Sequence, residues 1–160
     1  NEIQNAAGGV PTAADLGLNV TGTVLQVVQA TYATETQSTA SSFTDTGAQI
    51  TITPTSSSSK ILVMTTITSA GVVNSSGPDA RGFFRLWDGT SQLMRTDVRS
   101  YDYGNSGSIQ WGSWQLNYLD SPATTSAVTY KVQQALTTGS SIRVCEANYA
   151  MSIQAMEIAG

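Results

Sequence analysis

The residues best suited to chemistry gather in the middle of the chain: Arg81, Arg85, Trp87, Arg95, Arg99, Tyr101, Tyr103, Trp111, Trp114 and Tyr118. Indole and phenol rings offer flat faces to the C–H faces of sugars. Guanidinium, carboxylate and amide groups hydrogen-bond hydroxyls, and Arg pairs with anionic sugars. Arg85, Trp87, Tyr101, Asp102, Tyr103, Asn105 and Trp111 are therefore the candidate contact residues. The same types fill cores and dominate subunit interfaces, so core, subunit contact and ligand contact stay open as readings for each.

Other chemistries find less material. The 160 residues contain no His and one Cys, Cys145. That removes Ser-His-Asp triads, Cys-His dyads, HExxH zinc sites and internal disulfides. Cys145 reads as a small apolar filler on a strand. Asp79, Asp88, Asp97 and Asp102 lack the DxDxDG-like spacing of a calcium loop. Two acids across a cleft would be needed for glycoside hydrolysis, and no Gly-rich phosphate loop is present. We expect no enzyme activity and no cofactor or metal. Seven Lys+Arg against eleven Asp+Glu, net −4, argue against nucleic acid as a partner. No run approaches the ~20 apolar residues that span a bilayer, so no membrane insertion is expected.

These side chains need elements to hold them. Only 11% of residues are charged, while about a quarter are Ser or Thr. Thr keeps the β-branched preference for strands and presents a hydroxyl rather than a charge. Residues 1–22 carry Gly8, Gly9, Pro11, Gly17 and Gly22 and read as a linker or docking arm. Asn1 in place of an initiator Met reads as a boundary within something longer. From residue 23 to 160 the pattern is β throughout. Strands are expected over 24–30, 43–54, 60–70, 80–90, 91–100, 108–119, 127–135, 141–147 and 151–159. The segments 72–79 and 101–107 read as loops, Asp88-Gly89 as a hairpin turn, and Gly112 as a bulge. Period-two alternation puts Trp114, Leu116 and Tyr118 on one face, in the core, with Trp111 on the other. Burying Phe84 and Leu86 leaves Arg85 and Trp87 outward, because no Arg is then buried. Many strands joined by short turns predict an all-β, antiparallel β-sandwich, jelly-roll-like, with a short N-terminal arm.

Several segments together resemble a known family: VLQVVQAT (24–31), ITITPTSSSSKILVM (50–64), FFRLWDGT (83–90), LDSPATTSAVTYKVQ (119–133) and AMSIQAMEIAG (150–160). In this order they are similar to C-terminal domains of bacteriophage tail-fibre and appendage-type virion structural proteins, marine phages especially. The resemblance covers residues 23–160. It implies a non-enzymatic, homotrimeric domain on the virion surface, outside the cell, that acts in host-surface attachment or as a structural tip; the ring and arginine cluster makes a host-surface glycan the candidate partner. The arm would dock to other virion proteins. A purely structural decoration or filament subunit, making only subunit contacts, is the second reading. Low charge and the apolar stretch Val24–Val28 also suit self-association.

Overall fold

The computed structural model describes residues 21–75, 77, 79–101 and 109–160, together with Val10 and Leu16. Ten strands follow one another: β1 (Val24–Tyr32), β2 (Thr36–Ser38), β3 (Thr44–Ile52), β4 (Lys60–Val73), β5 (Asp79–Trp87), β6 (Gln92–Tyr101), β7 (Ile109–Asp120), β8 (Val128–Thr138), β9 (Ser141–Val144) and β10 (Met151–Ile158). Every pairing is antiparallel. The first strand pairs with the last, the second with the ninth, the third with the eighth, the fourth with the seventh, and the fifth with the sixth. The chain is thus one long ribbon doubled back at the β5–β6 hairpin. Wrapping that ribbon adds the pairs β10·β4, β9·β4 and β8·β5. Two sheets result. One runs β1-β10-β4, with β7 on the far side of β4 and β9 and β2 continuing the lines of β10 and β1. The other runs β3-β8-β5-β6. This is the jelly-roll arrangement of a β-sandwich.

Alternation explains the core. β3 buries Thr46, Ala48, Ile50 and Ile52 and exposes Asp45, Gln49 and Thr51. β5 buries Ala80, Phe84 and Leu86, so Arg85 and Trp87 point outward as expected. Trp114 packs tilted on Phe84 at 5.8 Å between ring centres, and Leu116 is fully buried. Tyr118 shares their face but is 38% exposed, because β7 is a sheet edge and the facing layer ends beside it.

Three local expectations are corrected. β4 runs through Val73, so residues 72 and 73 are strand, not loop. A two-residue bulge at Thr68 and Ser69, opposite one residue of β7, resets its alternation. Ile67 and Val72 then both face inward. The irregularity lies in β4, not at Gly112, whose lack of a side chain instead leaves room for the Trp114 ring. Finally, the strand expected over 141–147 stops at Val144. Cys145 takes a left-handed conformation (φ 58°) and leads into a 3-10 turn at Glu146–Asn148. It is buried, with its thiol donating to the Tyr32 carbonyl at 3.3 Å, and burial raises its pKa. The short β2 was not expected. Of the proposed arm, only Val10, Leu16, Thr21 and Gly22 are described; the rest of 1–22 lies outside the described residues.

One carboxylate is fully buried in this uncharged setting. Glu157 of β10 points inward opposite Ile61. Its oxygens accept from Gln26 Nε2 (2.5 Å), from the Thr55 N–H (2.7 Å) and from Thr55 Oγ1 (2.7 Å). Gln26 Nε2 also donates to the Thr53 carbonyl at 2.7 Å. Glu157 so ties β1, β10 and the β3–β4 loop together. Burial alone would raise its pKa; hydrogen bonds from Gln26 and Thr55 outweigh that and lower it from 4.5 to about 2. A depressed carboxyl stabilises the fold fully above its unfolded pKa, and that stability drains as pH falls toward the folded value. The contribution is about 3 kcal/mol. Glu157→Gln would place an amide donor against these donors. We expect it to lower stability by about 2–3 kcal/mol at pH 7 and to flatten the loss of stability of the parent between pH 4.5 and 2, read from urea midpoints. An unchanged pH profile would show that the carboxylate is not the anchor.

Candidate functional site

The outward face of the β3-β8-β5-β6 sheet holds Arg85, Trp87 and Tyr101 of the expected residues. The register builds it. Arg85 is the Cα partner of Gln133 on one side and Arg95 on the other, and Gln133 adjoins Asp45 on β3. Trp87 is flanked by Lys131 and Gln92, Phe83 by Asp97, and Arg81 by Arg99. Five of the chain's seven cations (Arg81, Arg85, Arg95, Arg99 and Lys131) therefore share one sheet face. Against them stand Asp45, Asp97 and, at the end of β5, Asp79.

Rings and guanidinium groups interleave on this face. The Arg85 guanidinium lies between two rings, 4.0 Å from the Phe43 centre and 4.2 Å from that of Trp87. Its Nε donates to Gln133 Oε1 at 2.7 Å. Partial burial lowers its pKa, with the charge of Asp45 acting the other way. Phe83 carries Arg81 at 5.0 Å and Arg95 at 4.5 Å. Arg81 and Arg99 converge on Asp97, with N–O distances of 3.0 and 2.7 Å. Those bonds hold the Asp97 carboxyl below its ordinary range despite the opposing cost of desolvation. Arg99 also donates to the Tyr101 phenol at 3.0 Å, which together with Asp97 raises its pKa. Lys131 bridges to Asp45 at 2.8 Å, and that hydrogen bond, with one from Gln133, lowers the Asp45 pKa.

Arg85 and Arg95 differ from the other three cations. Neither forms a direct ion pair among the described residues; Asp45 acts on Arg85 through its charge alone. The terminal amino groups of Arg85 make no hydrogen bond there, and no side-chain nitrogen of Arg95 does. Flat, ring-backed guanidinium groups with open N–H edges are suited to planar or tetrahedral anions.

The remaining expected residues lie elsewhere. Trp111 is on the outward face of the other sheet, opposite Gly71, 38% exposed. With Tyr149, Thr68, Ser69 and Ser113 it lines a shallow cavity of about 360 Å³. Asp102, Tyr103 and Asn105 lie outside the described residues. Asp88 is spent on its own turn: its carboxylate accepts from Thr90 N–H (2.7 Å), Thr90 Oγ1 (2.9 Å) and Ser91 N–H (2.5 Å). Asp120 accepts from the Tyr130 phenol at 2.7 Å and the Ser121 N–H at 2.8 Å. Among the described residues no group of three or more Cys, Asp or Glu is placed to hold a metal ion. Sequence reasoning missed Phe43 as the second ring on Arg85. It also missed the Arg81–Asp97–Arg99 group, which pairing 80–90 with 91–100 in register would have revealed.

The outward face of the β1-β10-β4-β7 side has another character. Val27, Met156, Leu62 and Leu119 are successive Cα partners across β1, β10, β4 and β7, forming an apolar row. Val27 is 56% and Leu119 46% exposed.

No family model matches the sequence, and no curated protein does. Among solved structures, the crystal structure of the infectious bursal disease virus VP2 subviral particle is similar over 84% of this chain and 38% of that chain, with 11% identity and a TM-score of 0.35. The chain thus spans well under half of that protein's length, and a likeness at this level carries no argument about function.

Energetics separate the stacked cation from the paired one. Two ring contacts on Arg85 contribute about 1–2 kcal/mol together, whereas an exposed pair such as Lys131–Asp45 contributes under about 1. In urea titrations Arg85→Ala should therefore lower stability more than Lys131→Ala does. The reverse order would show that the ring stack is incidental.

Proposed function

We propose that this domain works by contact rather than by bond-making: a virion appendage module, tail-fibre-like, that trimerises and presents a sheet face to the host surface. The observation that carries the reading is the β3-β8-β5-β6 face, where aromatic rings and arginines are ordered on rigid strands. Residue types of this kind dominate recognition surfaces. The sequence resemblance over residues 23–160 points the same way.

Self-association is supported by the apolar row Val27, Met156, Leu62 and Leu119. Contiguous apolar residues on an outward sheet face mark contact surfaces. The two faces would then divide the work, one toward sister subunits and one toward the host. A purely structural subunit is the second reading, favoured by the same row and indifferent to the arginine face.

Sedimentation equilibrium of the full chain should give a trimer, and Val27→Glu with Leu119→Glu should give folded monomer. A monomeric parent would overturn the assembly. Labelled chain should bind at least some cells of a panel of marine bacterial isolates, and Arg85→Ala with Trp87→Ala should weaken that binding severalfold without changing the melting temperature of the trimer by more than a few degrees. Trimer without binding to any isolate would leave the structural reading in its place.

A further inference from the structure

We propose that the β3-β8-β5-β6 face binds a sparsely charged acidic polysaccharide, one whose carboxylate groups seat on Arg85 and Arg95. This deepens the attachment role proposed above and rests on it.

The argument begins with which cations are free. Arg81 and Arg99 share the single carboxylate of Asp97, and Lys131 is paired with Asp45. Arg85 and Arg95 form no direct ion pair among the described residues, and they are adjacent, as Cα partners on β5 and β6. Cross-strand partners of an antiparallel pair lie about 4.5–5.5 Å apart at Cα. Ring contacts orient both guanidinium groups: Phe43 and Trp87 grip one, and Phe83 backs the other. Gln133 fixes the Nε of Arg85. Little side-chain freedom remains for Arg85 to lose on binding, which favours affinity. The open N–H edges match a two-oxygen acceptor.

Charge density then selects the occupant. A nucleic acid brings a phosphate at every step, and tight binding takes on the order of six to ten neutralising contacts. Two free guanidinium groups, on a chain of net −4, cannot meet that. An acidic sugar among neutral ones needs only such a pair. Around it, Gln92, Gln49, Thr51 and Thr129 share the face and supply amide and hydroxyl groups for neutral rings. Thr51 and Thr129 are hydrogen-bonded to each other at 2.8 Å, which leaves each oxygen further bonding capacity.

The test uses the full chain on immobilised deacylated gellan, a polysaccharide whose repeat sets one uronate among neutral sugars, with dextran as the neutral column and single-stranded poly(dT) as the nucleic-acid column. Retention on gellan, absent on dextran and released by salt, is expected. Arg85→Gln with Arg95→Gln should weaken it at least about tenfold, and Arg85→Lys should weaken it too, because the charge stays and the fork is lost. Lys60→Gln, on the other sheet, should leave it unchanged. If the double variant does not fold, Arg95→Gln alone decides, since that exposed side chain makes no hydrogen bond among the described residues. No retention on gellan, retention indifferent to these arginines, or stronger retention on poly(dT) overturns the proposal. Isolates that bind the chain while gellan does not would remove the ligand class and leave attachment standing. If neither binds, both readings fall.

Discussion

Two sheets stacked face to face share a single layer of side chains about 10 Å thick, and each long strand must send every second residue into it. That constraint decides most of the molecule. It places Ile50, Ile52, Ile61, Val63, Phe84, Leu86, Leu116, Val132 and Ile153 inside, and so it also decides which residues are left outside. Several polar groups enter the layer with partners. Thr46 Oγ1 donates to the Val132 carbonyl at 2.8 Å, and Thr65 Oγ1 accepts from the Leu116 N–H at 3.0 Å. Glu157 is the extreme case, a carboxylate whose lack of a cation is offset by amide and hydroxyl donors. Where alternation has to change phase, the backbone is irregular, as at Ser69 (φ 44°).

The outward sets inherit the same parity. On one sheet they are apolar at Val27, Met156, Leu62 and Leu119; on the other they are arginines and rings. With so few charges in the chain, five of seven cations on one face is a strong bias, and a sheet holds it more rigidly than a loop would. Exposed ion pairs add little to stability, so Asp45 and Asp97 matter here chiefly for which cations they occupy and which they leave open.

Much of this was legible in the amino-acid order, because period two needs only the identity of alternate residues. Phe84 and Leu86 inward, with Arg85 and Trp87 outward, follows from refusing to bury an Arg. Trp114 and Leu116 against Trp111 follows from counting. What was not legible depended on events between strands. β2 is three polar residues with no periodicity, defined only by its pairing with β9. The extension of β4 past Ser69 was hidden because a bulge breaks the count just before Val72. Cys145 leaves the strand because a left-handed residue turns the chain there, which no spacing announces. Phe43 meets Arg85 across an intervening strand, β8, so their approach appears only once the sheet order is known.

The ribbon also has a temporal side. β10, the final strand, is not at an edge; it lies between β1 and β4 and pairs with both. During synthesis the chain leaves the ribosome from its N-terminus, so β1 waits for its strand partner until residues 151–158 have emerged. Long-range pairing of this kind is intrinsically slow. A product terminated before Met151 loses a central strand and the Glu157 anchor together, rather than a dispensable rim. Such fragments cannot close the layer, and the cell's proteases receive them as unfolded chains. Only a product translated through β10 can close the sandwich, which makes the position of that strand a checkpoint on synthesis.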